Sequence, residues 1–109
     1  MAYNEKLSQR IKRLLQETRG IENKKMFGGI GFLLHGNMAC GILNDYLIIR
    51  VGPDGYEDAL ALPHTRKFDI TGRAMKGWIM VAKDGCSSDE ELSVWLGRGL
   101  AFAASLPKK

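Results

Sequence analysis

The sequence predicts an α+β domain: two layers, an antiparallel five-stranded sheet with helices on one face, in the order α-β-β-β-α-β-β-α. Apolar residues recur at helical spacing near both ends of the chain, the period falls to two through its middle, and turn residues separate the segments. In Phe27-Gly28-Gly29-Ile30-Gly31-Phe32 and again in Ala39-Cys40-Gly41-Ile42, bulky apolar side chains alternate with bare backbone. A sheet built this way has one apolar face and one nearly naked face. Glycine weakens a strand by roughly 0.5–1 kcal/mol relative to alanine, so a row of glycines implies that another group approaches the backbone closely.

Residues 4 to about 18 place Leu7, Ile11, Leu14 and Leu15 at helical spacing, with Asn4 as cap, basic residues on the other faces and Gly20 as a stop signal. From Lys24 to Val51 three antiparallel strands are expected, with a bend or bulge at Gly28-Gly29 and a hairpin loop in Leu34-His35-Gly36-Asn37-Met38. If Leu34 faces Met38, then Phe32 opposes Cys40 and Ile30 opposes Ile42 on the core face. Leu33 then opposes Ala39, and Gly31 opposes Gly41, on the other face.

The next turn falls at Asn44-Asp45, and Gly52-Pro53-Asp54 ends the third strand. Tyr56, Ala59 and Leu60 suit a short helix ending before Pro63. Two more strands, Lys67 to Ile70 and Gly77 to Val81, are joined at Thr71-Gly72-Arg73. Ser88-Asp89-Glu90-Glu91 forms a capping box that opens a helix running to about Ser105. Leu92, Leu96, Gly99 and Ala103 make one face of it, widened by Trp95, Phe102 and Leu106 and extended by Val94 and Ala101. That is more apolar surface than resting on a sheet requires, so part of it is expected to meet the first helix or another subunit.

At 109 residues the chain is one domain, residues 1–109, expected to bury roughly 65% of its unfolded surface. Hydrophobic content of 45% and charged content of 26% argue against disorder. No apolar run approaches a membrane span, the start resembles no signal peptide, and two cysteines give no disulfide framework; a cytoplasmic protein with reduced thiols is expected. The net charge of +4 is spread along the chain, as on an ordinary solvated surface.

Catalytic candidates are weak. Cys40, Cys86, His35 and His64 lack the close pairing of zinc ligands, so no metal and no other cofactor is expected. Gly28-Gly29-Ile30-Gly31 leads into a strand, whereas a phosphate loop leads into a helix. Asp54, Glu57, Asp69 and Asp84 read as caps and dipole partners, and Ser87-Ser88 as a cap. No catalytic residue is assigned. The candidate binding residues are the bare positions Gly29, Gly31 and Gly41, with the cations Lys25, Arg50, Arg73 and Lys76 interleaved with Phe27 and Trp78. Arg66 is a further cation beside a strand. Cations among aromatics can clamp phosphates and stack bases, which keeps a nucleic-acid or anionic-ligand binder as the alternative; the plainer role for Trp78 is to pack across a bare neighbouring strand.

Three stretches in order, Lys25-Met26-Phe27-Gly28-Gly29, Leu47-Ile48-Ile49-Arg50-Val51-Gly52-Pro53 and Gly72-Arg73-Ala74-Met75-Lys76-Gly77-Trp78, resemble the N-terminal domain of the TfoX/Sxy competence regulators. The similarity runs from the first helix through Leu106. It implies the same α+β fold, no enzymatic activity, and a role in bacterial transcriptional regulation, where such proteins promote competence genes alongside the cyclic-AMP receptor protein. Full-length regulators of this type carry a second, helical C-terminal domain, which is not expected within these 109 residues. The combined expectation is a non-enzymatic regulatory domain that binds a protein partner, a transcription factor among the candidates, and forms a homodimer away from any membrane. Its working surface would join the glycine-rich sheet face to the flank of the last helix.

Overall fold

The structure, a computed structural model, describes residues 4–26, 28–69 and 75–107. In chain order the elements are α1 (Glu5–Leu14), β1 (Ile21–Met26), β2 (Gly29–Leu34), β3 (Asn37–Leu43), β4 (Tyr46–Arg50), α2 (Tyr56–Leu60), β5 (Thr65–Lys67), β6 (Trp78–Val81), a 3-10 turn at Lys83–Gly85, and α3 (Asp89–Ala104). The sheet is antiparallel throughout, in the order β1-β2-β3-β4-β6-β5.

The sheet thus has six strands where the sequence suggests five. The added strand is β1, separated from β2 by a tight turn at which Gly28 takes a positive φ of 77°. The expected bend at Gly28-Gly29 is this turn. Glu22, Asn23, Lys24 and Lys25 are all exposed, so an edge strand polar on both faces shows no alternation to read. The strand expected at Lys67 to Ile70 lies earlier, at Thr65–Lys67. The turn at Thr71-Gly72-Arg73 lies outside the described residues.

Register between β2 and β3 agrees with expectation for three pairs, Ile30 with Ile42, Gly31 with Gly41 and Phe32 with Cys40, and then shifts. Leu33 pairs with Met38 and Leu34 with Asn37, because Ala39 is the extra residue of a bulge and turns inward beside Cys40. The hairpin is closed by two residues, His35 and Gly36, with φ of 51° and 86°. That turn matches the twist of the flanking strands.

All three helices lie on one face. Leu7 and Ile11 of α1, Tyr56 and Ala59 of α2, and Leu92 and Leu96 of α3 share one cluster with Phe32, Ile42, Leu47, Ile49, Ile79 and Val81 of the sheet. Asn4 caps α1, its Oδ1 accepting from the Leu7 N–H at 3.0 Å. The capping box of α3 is present, with the Ser88 hydroxyl accepting from the Glu91 N–H and the Glu91 carboxylate accepting from the Ser88 N–H.

The first and last helices are tied together where α3 begins. The Arg10 guanidinium donates to Asp89 and to the carbonyls of Cys86 and Ser87, and Arg13 donates to Asp89 at 2.9 Å. Among the described residues, no helix is long and apolar enough to cross a membrane.

The open sheet face as candidate functional site

Because side chains alternate across a strand, the residues between the core positions all project from the face opposite the helices. Following the pairing across the sheet gives one transverse row on that face: Lys24, Gly31, Gly41, Ile48, Met80 and Arg66. It spans all six strands, roughly 24 Å at the usual inter-strand spacing. Cations stand at both ends, Lys24 and Arg66 being exposed, and the interior is apolar or bare. Leu33 and Met38 flank the row on one side and Leu43 and Tyr46 on the other, all half-buried. Arg66 lies over the Tyr46 ring at 5.8 Å and donates to its hydroxyl at 3.3 Å, which fixes one end of the row.

The glycines of this face have an internal explanation. A Cβ on Gly41 would sit 2.7 Å from the Ile30 carbonyl oxygen and 2.9 Å from the Met38 methyl carbon. A Cβ on Gly29 would collide with the Ile42 carbonyl oxygen. The close approach read from the sequence is therefore made by the protein's own neighbouring strands and by Met38. Among the described residues no helix covers this face, and what it presents to solvent is the half-buried side chains of Leu33, Met38, Leu43 and Met80, not its bare backbone.

Of the predicted site residues, Gly29, Gly31 and Gly41 lie on β2 and β3, with Gly31 and Gly41 directly paired. Arg50 and Trp78 are cross-strand neighbours at one end of the open face, with Lys76 two residues before Trp78. Lys25 is not with them. It lies on β1, three strands from Arg50 and four from Trp78, opposite Ile30 and hence on the helix side. Phe27 and Arg73 lie outside the described residues.

Arg50 and Trp78 are occupied with each other. The Arg50 guanidinium is 5.1 Å from the Trp78 ring centre and 5.2 Å from that of Phe102, and Trp78 packs against Phe68 at 6.2 Å. A base stacking on Trp78, or a phosphate taken by Arg50, would compete with these contacts.

The expected union of the glycine face with the flank of α3 does not occur, because the sheet stands between them. Phe102 of α3 reaches the end of the sheet, where its ring lies 5.2 Å from the Arg50 guanidinium. Val94 remains 59% exposed on the far side of α3, while Trp95 is buried and its indole N–H donates to the Gly85 carbonyl at 3.2 Å.

The thiols are held away from chemistry. Burial pushes Cys40 up to about 12, so it stays a protonated apolar group, and burial also raises Cys86, partly offset by Arg10. The perturbed carboxyls belong to the helix junction. The hydrogen bond from Arg10 holds Asp89 below its ordinary value, and the Ser88 backbone N–H does the same for Glu91.

Ile48, Met80, Arg66 and Lys24 were not singled out by the sequence as one set. Only the strand order brings them into register, and each stands singly in the sequence within an ordinary strand or edge pattern.

The model of the TfoX N-terminal domain family matches residues 13–103. No curated protein and no solved structure matches the chain.

Proposed function

The chain belongs to the TfoX N-terminal domain family, and from that membership together with the open sheet face we propose a non-enzymatic regulatory domain that acts by binding another protein. The TfoX/Sxy resemblance supplies the setting, bacterial transcriptional regulation. The observation that carries the proposal is the transverse row from Lys24 to Arg66, an apolar strip held between two cations on a face over which, among the described residues, no helix lies. Its chemistry is that of binding: thioether, branched aliphatic and fixed-cation groups desolvate and attract but do not relay protons.

The fitting partner is a protein segment with apolar anchors and acidic residues at both ends. The anchors would seat over Leu33, Met38 and Met80, above a floor made by the buried Ile48 and the Gly31-Gly41 pair. The acidic ends would meet Lys24 and Arg66, which steer the encounter more than they add affinity.

Leu33→Glu and Met80→Glu test this. Both should abolish capture of an acidic partner while leaving the melting temperature within a few degrees of the parent. Undiminished capture by both variants would overturn the reading. Salt-sensitive binding of DNA or RNA in fluorescence anisotropy, lost on Arg50→Ala, would favour a nucleic-acid binder instead.

A further inference from the structure

We propose that two copies of this chain pair antiparallel through the outer edge of β1, in one register selected by Glu22 and Lys24, to make a continuous twelve-stranded sheet. The open-face reading is not required for this, and the two can fail separately. β1 is the terminal strand of the sheet, and its central residues Glu22 to Lys25 are exposed. Among the described residues nothing pairs with its outer side.

The direction of its backbone groups follows from one hydrogen bond. The His35 N–H donates to the Gly20 carbonyl at 2.9 Å, at the foot of the ladder that pairs Ile21 with Leu34 and Met26 with Gly29. In an antiparallel ladder the bonded residues alternate, so Glu22, Lys24 and Met26 bond inward to β2. Ile21, Asn23 and Lys25 turn both N–H and C=O to the free edge. That edge offers three donors and three acceptors spaced for a further strand.

Lysines on an edge ordinarily discourage such pairing. Here the charges discriminate between registers instead. Two antiparallel copies related by a two-fold axis normal to the sheet must set outward-bonding residues against outward-bonding residues, so the axis passes through one residue of β1. Through Glu22 it opposes two glutamates, and through Lys24 or Lys25 it opposes two lysines. Through Asn23 it places Glu22 of each copy opposite Lys24 of the other, on the open face. The same register sets Ile21 opposite Lys25 and leaves the two Asn23 side chains adjacent on the axis. Opposite charges directly across a ladder attract and like charges repel, so the edge is self-complementary in that register and in none of its neighbours. Both copies then carry their helices on the same side, and their open faces become one surface.

Sedimentation equilibrium on the full chain tests this. The wild-type protein should dimerise reversibly between micromolar and millimolar concentration. E22K and K24E should each weaken the dimer about tenfold, since each turns two attractive pairs into repulsive ones. The double variant E22K/K24E should restore it. Asn23→Pro should leave a monomer with an unchanged melting curve, because the N–H it removes points out of the sheet. A wild-type monomer throughout that range, a dimer indifferent to E22K and Asn23→Pro, or a double variant no better than the singles would each overturn the proposal. A monomeric Asn23→Pro protein that still binds an acidic partner would show that edge pairing and face binding are separate.

Discussion

The two faces of this sheet are made by the same strands, yet one is sealed and the other open. On the helix side Cys40, Ile49, Ile79 and Val81 are fully buried. On the other side Leu33, Met38, Leu43 and Met80, each within two residues of a sealed position, are only half-buried, and Ile48 alone at the centre of the row is 3% exposed, sheltered by its neighbours. Both sets are apolar. What separates them is the supply of helices: α1, α2 and α3 all pack on one side, and among the described residues no further helix lies over the other. That half-buried strip, framed by cations, is the surface the proposed partner would cover.

Adjacent residues of β2 should expose the contrast most sharply. Phe32→Ala, on the sealed side, should cost about 3–5 kcal/mol in urea unfolding, whereas Leu33→Ala next to it should cost only about 1 kcal/mol. Equal losses would mean that the open face is covered after all. Gly41→Ala refines the same point: its new methyl would meet the Ile30 carbonyl and Met38, and the loss should be about 1–3 kcal/mol even though the face is open.

Two glycines of α3 should respond with opposite signs. At Gly99 a Cβ would strike the Ala39 carbonyl oxygen, while at Gly97 nothing lies within 4 Å. Gly99→Ala should lower stability by about 1–3 kcal/mol, and Gly97→Ala should raise it by about 0.5–1 kcal/mol through helix propensity. A matching sign for both would mean that α3 does not close directly on the bulge.

The smallest effect is expected at the helix junction. Asp89 and Glu91 are held below their ordinary values in the folded chain. Their contribution is therefore complete above the ordinary carboxylate range and is lost as pH falls through the lowered folded values. Melting temperature should decline over that acid limb, and Asp89→Asn should flatten it. A variant with an unaltered limb would remove Arg10 and Arg13 from the account of how α1 holds α3.

Most of the fold is legible in the sequence because capping and turn chemistry are local. Asn4, the Ser88–Glu91 box, Asn44 and Pro63 each announce a boundary within a few residues. β1 escapes because an edge strand with polar residues on both sides has no reason to alternate. The bulge at Ala39 escapes because it is set from the far end of the chain, by the backbone of α3 at Gly99 closing on the Ala39 carbonyl. The glycines point correctly to close packing but not to its owner. Strand-to-strand approach inside one molecule and approach by a partner leave the same mark in a sequence. The transverse row needs the order of six strands, which no local pattern encodes.

Photo-crosslinking in cells tests the central claim most directly, with the reactive group placed at residue 80 on the open face or at residue 94 on the exposed flank of α3. The account predicts a protein adduct from residue 80 that an excess of unlabelled domain competes away, and none from residue 94. Adducts from residue 94 alone would contradict it, and would move the working surface to the other side of the sheet.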